Sequence, residues 1–229
     1  MKPSSKASIL SIALKIIVIV SAVIGILRSA GAGRNIFMGG SRVFMFFTIQ
    51  SNILIALICA VGLVLLLLQK PAGTAWYVIK YIGTVAITLT GVVFAFVLAP
   101  TFKQGAWNLQ NTLTHLVVPV AAVLDFFVTG IYGSIPMKAI PLVTLPPLAY
   151  AIYAGIGYVA GWEFLQGIHY PYFFLNWGSP AGAFGFTKGL PFMGTVWWIF
   201  AIMIFLLLIG YAYLAILNAL KKKILKEHN

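Results

Sequence analysis

Six long apolar stretches constrain what this chain can fold into more than any other feature of its sequence. Each is long enough to supply the roughly 20 residues that an α-helix needs to cross the hydrocarbon core of a bilayer. They run approximately over residues 7–27, 43–68, 76–99, 111–132, 139–160 and 193–217. Because 62% of the 229 residues are hydrophobic and 8% are charged, a soluble globular domain is excluded. We predict an all-α integral membrane protein with six transmembrane helices, forming a single domain over residues 1–229.

The basic residues predict how these spans are oriented. The formal net charge is +12, and the positive residues lie mostly in short loops and at span ends. The side that holds both termini carries nine of them: Lys2, Lys6, Lys70, Lys80, Lys138, Lys221, Lys222, Lys223 and Lys226. The other side carries five: Arg28, Arg34, Arg42, Lys103 and Lys188. Since basic residues concentrate in cytoplasmic loops, both termini are predicted to be cytoplasmic.

The same charges bear on the partners of the protein. Residues 220–229 form a basic tail on the cytoplasmic side, which we expect to rest against anionic lipid headgroups. A nucleic-acid partner is not expected, because the basic residues form no clustered face on a soluble domain. The sequence therefore predicts membrane lipid as a partner and gives no indication of protein partners.

The connection between the fifth and sixth spans, residues 161–192, is long and crowded with aromatic residues, glycine and proline. A loop of this length without hydrophobic periodicity is usually functional or disordered, and its aromatic residues argue against disorder. We predict that it forms an ordered cap at the outer membrane interface. Glu163 and His169 belong to this cap.

Two charged residues lie inside apolar spans: Lys15 in the first span and Asp125 in the fourth. A charge in hydrocarbon is costly unless it has a partner. Both residues fall in the cytoplasmic halves of their spans, so we predict a structural ion pair, with a proton or ion relay as the alternative. His115 cannot be the partner of Asp125, because ten helical residues separate them by about 15 Å along the axis and about 80° around it.

His115 lies near the outer end of the fourth span on a polar stripe. Asn108, Asn111 and Thr112 precede it at spacings of seven, four and three residues, which places all four on one helix face. Pro119 follows four residues later and cannot donate a backbone hydrogen bond to the carbonyl of His115. We expect a kink at this point, with the free carbonyl facing the polar region.

The second span carries a polar turn at a similar depth. Thr48 lies six residues past Arg42, about 9 Å at a helical rise, while His115 lies seven past Asn108, about 10 Å. Thr48 and His115 are therefore expected to be level. Further polar residues share the turn: Gln50, Ser51 and Asn52. Such side chains also commonly form hydrogen bonds that only hold membrane helices together, which is the structural alternative.

Three motifs resemble a known family. The stretches "FFTIQSN", "NTLTHLVVPVAAVLDFF" and "HYPYFFLN" resemble the bacterial six-helix membrane proteins called the Pr-six-Pr family, in the same order and spacing. That family is more distantly similar to the androgen-induced and androgen-dependent TFPI-regulating proteins of animals, which are six-span hydrolases of fatty acid esters of hydroxy fatty acids. The resemblance implies a multi-pass protein of the bacterial inner membrane. One departure is Phe173, which follows Tyr-Pro-Tyr where the family is expected to have proline.

The resemblance also implies an activity. Thr48 corresponds to the intramembrane threonine of the animal hydrolases, and His115 corresponds to their histidine. A threonine hydroxyl becomes a competent nucleophile when a neutral histidine within hydrogen-bond reach takes its proton. We therefore expect a lipid-ester hydrolase with a Thr48–His115 dyad. Candidate substrate-binding or oxyanion residues are Gln50, Asn52, Asn108, Asn111 and Glu163.

Two other functions remain open at this stage. The same outer pocket could hold an amphipathic ligand without chemistry, in a binding or transport protein; the lack of a carboxylate that clearly orients His115 favours this alternative. A metal site at His115, Glu163 and His169 has no support, because their spacing matches no established ligand pattern. We therefore predict no metal and no cofactor.

Overall fold

The computed structural model describes residues 4–33 and 40–227. This part of the chain is helical and contains no β-strand. The six long helices are α1 (Ser5–Gly33), α2 (Phe47–Leu67), α3 (Thr74–Thr101), α4 (Leu109–Gly130), α5 (Met137–Val159) and α6 (Thr195–Glu227). All six are long and apolar enough to cross a membrane, which confirms the prediction of a multi-pass, six-helix membrane protein. Of the charges used to predict orientation, Lys2 and Arg34 lie outside the described residues.

The predicted helix bounds agree with the structure to within a few residues except at two ends. Helix α1 continues past the predicted end near residue 27 to Gly33. Helix α6 continues without a break to Glu227, so the described part of the predicted basic tail forms its last turns. There the Lys221 ammonium donates a hydrogen bond to the carbonyl of Gly133, just after α4. The tail lysines therefore belong to a helix that packs on the bundle, not to a separate segment.

Two apolar clusters hold the helices together. The first joins α1, α2, α3 and α4 through buried side chains such as Val18, Ile55, Ile87 and Val118. The second joins α3, α4, α5 and α6, and its buried members include Tyr81, Phe126, Val143, Leu206 and Leu214. Most of the surface of α6 is exposed. In a bilayer that surface faces lipid, so its apolar residues need no protein partner.

The segment between α5 and α6 folds back onto one end of the bundle. We call residues 160–194 the loop segment, this end of the bundle the loop end, and the opposite end, near Ser5 and Glu227, the tail end. Phe164, Phe174 and Leu175 of the loop segment are buried against Phe46 and Tyr150. A short 3₁₀ turn covers Phe173–Leu175. The expected ordered, aromatic cap is thus packed against the start of α2 and the side of α5.

Helices α3 and α4 each contain one wide turn, and the two turns face each other at the loop end. The π-helical turn of α3 covers Phe94–Leu98, and that of α4 covers Leu113–Val117. In α4 the backbone N–H of Val118 donates to the carbonyl of Leu113, five residues earlier. Such turns occur where the regular helical hydrogen-bond ladder is interrupted. The irregularity expected just before Pro119 is therefore a π-helical turn.

The carbonyl of His115 does not face a polar region, contrary to the sequence-based expectation. It lies against α3, where a Cβ atom at Gly91 would be 2.9 Å from this oxygen and 3.2 Å from the Pro119 ring. Only a glycine allows α3 and α4 to approach this closely. The prediction was wrong because Pro119 packs tightly against a neighbouring helix, which the sequence of α4 does not show.

Candidate functional site

Thr48 and His115 lie in contact at the loop end of the bundle. Thr48 is on the first turn of α2, and His115 is in the wide turn of α4. The Oγ1 atom of Thr48 is 3.2 Å from the Nε2 atom of His115. This distance is within the range of a hydrogen bond between a nucleophile and its base. The structure therefore brings together the two residues whose equal depth was expected from the sequence.

The backbone of α4 fixes which nitrogen of His115 carries the proton. The Nδ1 atom is 3.1 Å from the carbonyl oxygen of Asn111, and a carbonyl can only accept a hydrogen bond. Nδ1 is therefore the protonated nitrogen of the neutral ring. Nε2 is left with a free lone pair, which accepts a hydrogen bond from the Thr48 hydroxyl.

An aromatic ring also packs against the face of the His115 imidazole. The ring of Phe94, from the wide turn of α3, stacks on it with centroids 3.8 Å apart and planes 20° apart. Only 7% of His115 is exposed. Behind the ring, the Thr114 hydroxyl lies 3.1 Å from Nδ1. Stacking and the two contacts at Nδ1 hold the ring in the orientation that reaches Thr48.

Tyr172 of the loop segment completes the surroundings of Thr48. Its hydroxyl oxygen accepts a hydrogen bond from the backbone N–H of Thr48 at 3.3 Å and lies 3.5 Å from Thr48 Oγ1. Burial raises the pKa of the Tyr172 phenol, so the hydroxyl is protonated and available as a donor at neutral pH. Sequence reasoning did not single out Tyr172, although it lies within the "HYPYFFLN" motif. A contact across 124 residues cannot be read from local spacing.

An apolar cavity opens on the side of Thr48 that faces away from His115. Its walls come from α2, α3, α5, α6 and the loop segment, and its polar lining residues are Thr48, Thr90, Tyr150 and Tyr172. The Tyr150 hydroxyl donates to the carbonyl of Met45 at 3.0 Å. Thr48 therefore stands between a buried base and an apolar chamber.

Asn52 supports the turn that carries Thr48. Its side-chain amide donates to the carbonyl of Thr48 at 2.7 Å and to the carbonyl of Thr114 at 3.2 Å. One N–H group thus bonds within α2, and the other joins α2 to α4 at the residue before His115. In this arrangement Asn52 positions the dyad and has no N–H group left to donate to a substrate.

Four other expected residues make contacts outside the cavity. The Gln50 amide donates to the carbonyl of Phe44 on the exposed side of α2. Asn108 caps α4 by accepting from the backbone N–H of Asn111, whose own amide donates to the carbonyl of Ala106. Glu163 pairs with Arg42 at 2.7 Å, with 40% and 35% of the two side chains exposed. These residues shape the loop end, and none of the four lines the cavity.

His169 has other hydrogen-bond partners than His115. Its Nδ1 atom lies 3.1 Å from the carbonyl of Trp162 within the loop segment. Across residues 4–33 and 40–227, no group of three or more His, Cys, Asp and Glu side chains could hold a metal ion.

A second buried polar group lies at the tail end. The Lys15 ammonium is 2.6 Å from Asp125 Oδ1, the contact that the sequence suggested. Lys80 is also 2.6 Å from this carboxylate, at Oδ2, and its side chain is only 4% exposed. Ser11 donates to Oδ1 at 2.6 Å, and Thr129 accepts from Lys80. We call these five residues the ion cluster.

The sequence-based prediction that Lys80 is a flanking loop charge was wrong. Lys80 is the seventh residue of α3 and points into the bundle toward α4. It could have been recognised by its position inside an apolar span, one turn or more past the helix start. Its partner could not have been recognised, because Lys15 already accounted for Asp125.

The fold and the site define a six-helix membrane protein in which a half-buried threonine contacts a buried histidine beside an apolar cavity. The chain matches no family model, no curated protein and no solved structure.

Proposed function

We propose that the protein is an intramembrane ester hydrolase with Thr48 as nucleophile and His115 as general base. The observation that carries this proposal is the 3.2 Å contact between Thr48 Oγ1 and His115 Nε2, the nitrogen with the free lone pair. A hydroxyl hydrogen-bonded to the basic nitrogen of an oriented histidine is the arrangement that activates serine and threonine nucleophiles.

In the first half of the reaction, Thr48 Oγ1 attacks the carbonyl carbon of the ester. Its proton passes to Nε2 of His115, and the carbonyl π electrons move onto the oxygen. When the tetrahedral intermediate collapses, the bond to the leaving oxygen breaks, and the His115 proton transfers to that oxygen to release an alcohol. The acyl group remains on Thr48 as an ester.

In the second half, water attacks the acyl carbon on Thr48. His115 takes one proton from the water and returns it to Thr48 Oγ1 as the acyl–oxygen bond breaks. A carboxylic acid leaves, and both residues regain their starting protonation states. The backbone carbonyl of Asn111 accepts a hydrogen bond from Nδ1–H throughout, so His115 needs no carboxylate to keep the correct tautomer.

The oxyanion requires a hydrogen-bond donor near Thr48. Tyr172 supplies it, because its hydroxyl lies 3.5 Å from Thr48 Oγ1 on the cavity side and stays protonated at neutral pH. The amides of Gln50, Asn52 and Asn111 are engaged by backbone carbonyls and are poor candidates for this role. Donors that stabilise charge developing in the transition state typically supply a large share of catalysis.

The substrate class follows from the cavity and from the motif resemblance. Beyond the hydroxyls beside Thr48, the cavity is lined by apolar side chains, so it suits the apolar groups next to the carbonyl of a lipid ester. Fatty acid esters of hydroxy fatty acids, the substrates implied by the resemblance, have this chemistry. On this proposal the site lies in the outer half of the cell membrane, with both termini in the cytoplasm.

A binding or transport protein is the second candidate. The observation that favours it is the partner of His115 Nδ1, which is a neutral carbonyl and not a carboxylate. A carboxylate would stabilise the imidazolium that forms during the reaction, whereas a carbonyl does so less strongly. In this case the same cavity binds an amphipathic molecule and releases it unchanged.

Covalent labelling distinguishes the two candidates. The purified protein is treated with a fluorophosphonate, which transfers its phosphonyl group to an activated hydroxyl with loss of fluoride. We expect an adduct at Thr48, located by mass spectrometry, that is absent in His115→Ala. The matched control is Thr84→Val, which removes a buried threonine hydroxyl that donates to the carbonyl of Lys80, away from the cavity. Specific binding of a fatty ester without any adduct would support the transport candidate instead.

A further inference from the structure

A second apolar depression lies beside the Thr48 cavity, on the side of the bundle. It is bounded by Leu89, Val92, Val93 and Val97 of α3, by Trp198, Ala201, Ile202 and Phe205 of α6, and by Phe174 of the loop segment. We call it the lateral groove. None of its lining residues is charged. The Trp198 indole N–H donates to the carbonyl of Pro191, so the ring presents carbon to the groove.

The lateral groove and the Thr48 cavity are neighbours that share a wall. Leu89, Val93, Phe174 and Ile202 line both. Phe174 and Trp198 close the top of the groove with ring centroids 5.7 Å apart. Ala201, at its outer edge, is exposed on the side of α6. The side chains that line both cavities, and those between them and the exposed side of α6, are therefore apolar.

We propose that the lateral groove binds one unbranched acyl chain of the ester whose carbonyl lies at Thr48. This inference rests on the proposed function and adds the path along which the substrate reaches the site. A polar headgroup has no hydrogen-bond partner in the groove and would be costly to place there. A hydrocarbon chain loses nothing by moving from the bilayer into it, and the groove leads to the nucleophile. The ester thus enters sideways between α3 and α6.

Ala201 is the residue through which this inference can be tested. Its small side chain leaves the outer edge of the groove open, and Ala201→Phe would fill it without disturbing a buried contact. The matched control is Ala212→Phe, three turns along the same exposed side of α6 and outside the groove. Val92→Phe blocks the groove from the opposite wall and serves if Ala201→Phe fails to fold.

The experiment compares rates of Thr48 labelling by hexadecyl and ethyl fluorophosphonate in detergent micelles. Each variant is compared with the unaltered protein for the same probe, so partitioning into the micelle cancels. We expect Ala201→Phe to slow the hexadecyl probe about tenfold, because the phenyl ring occupies space that the long chain needs, and the ethyl probe less than about twofold. Ala212→Phe should change neither rate. Equal effects on both probes, or no effect on either, would overturn the groove assignment.

A second measurement separates failure of the groove from failure of the hydrolase proposal. Thr48→Val protein is photo-cross-linked to a hexadecanoate ester that carries a diazirine near its chain end, with and without excess methyl hexadecanoate. Competed cross-links to the segments around Val97 and Phe205 support the groove, even if neither fluorophosphonate labels Thr48 and the hydrolase proposal falls. Labelling of Thr48 without competed cross-links keeps the hydrolase and removes the groove.

Discussion

The ion cluster at the tail end and the Thr48–His115 pair at the loop end differ in whether all their hydrogen-bonding groups have partners. In the ion cluster, Lys15 donates to Ser11 and to both carboxylate oxygens of Asp125. Lys80 donates to the carboxylate and carbonyl of Asp125 and to Thr129. Each ammonium group thus has three acceptors, which is all that it can use. The cluster has no free donor for a ligand.

The Thr48–His115 dyad at the loop end borders a cavity on one side. The Thr48 hydroxyl contacts His115 behind it and borders a cavity in front of it. Both regions contain buried polar side chains, and they differ in whether a cavity reaches those side chains. Of the two regions, the Thr48–His115 pair is thus the one with a polar side chain that faces space a ligand can occupy.

The largest effect is expected from removing the nucleophile. Thr48→Val keeps the shape of the side chain but has no hydroxyl, so ester hydrolysis should fall at least about 10³-fold. Because the change leaves the ion cluster intact, the unfolding temperature in detergent should change little. The measurement pairs a fluorogenic fatty-ester assay with thermal unfolding. Retained hydrolysis would remove Thr48 from the mechanism.

The next effect is on stability and concerns the ion cluster. Asp125→Leu leaves two buried ammonium groups without their shared anion, and we expect a loss of about 3–5 kcal/mol in the free energy of unfolding. The triple variant Lys15→Met, Lys80→Met, Asp125→Leu removes all three charges and should recover most of that loss. Unfolding in mixed micelles measures both. Lys103→Met, on an exposed loop, is the control for charge removal alone.

Equal destabilisation by the single and triple variants would contradict the view that the three charges of the ion cluster compensate one another. A loss of hydrolysis in the folded fraction of the triple variant would also contradict the separation of the ion cluster from the Thr48–His115 pair. It would mean that the cluster takes part in the activity and does more than hold α1, α3 and α4 together.

A smaller effect is expected at the donor beside the nucleophile. Tyr172→Phe keeps the ring that stacks on Phe174 but removes the hydroxyl near Thr48. Turnover should fall about 10²–10³-fold, as for loss of one oxyanion donor, while the Michaelis constant changes little. The control is Tyr153→Phe, a neighbouring tyrosine on α5 that does not line the cavity. If the two variants have equal activity, Tyr172 is structural.

The smallest effect is expected at the exposed ion pair. Arg42 and Glu163 join the start of α2 to the loop segment, and both remain partly exposed. Glu163→Gln should therefore change the free energy of unfolding by less than about 1 kcal/mol, and added salt should reduce the difference further. Thermal unfolding at two salt concentrations tests this. A change as large as that of Asp125→Leu would show that burial is not what separates the two ion pairs.

Some features of the site can be predicted from the positions of polar residues within the apolar spans. Counting residues from the span ends placed Thr48 and His115 at equal depth, because helical rise fixes depth once a span begins. The pair of Lys15 with Asp125 followed from the cost of leaving a charge alone in hydrocarbon. Neither inference needed the packing of the helices.

Other parts could not be read in this way. Tyr172 reaches Thr48 only because the loop segment folds back over α2. The oxyanion role assigned in advance to Gln50, Asn52 or Asn111 was chosen by proximity in sequence, and their amides turn out to bond backbone carbonyls. Side-chain direction depends on local acceptors, which a residue count does not contain.

The sequence by itself determined six helices long and apolar enough to span a membrane and the similar depth of Thr48 and His115, since hydropathy and helical rise act along one chain. Only the tertiary structure decided which faces meet. It brought Lys80 to Asp125, His115 to Thr48, and Tyr172 beside Thr48. The physical reason is that rotation of each helix about its axis is fixed by packing between helices, and a change in rotation alters every contact while leaving depth unchanged.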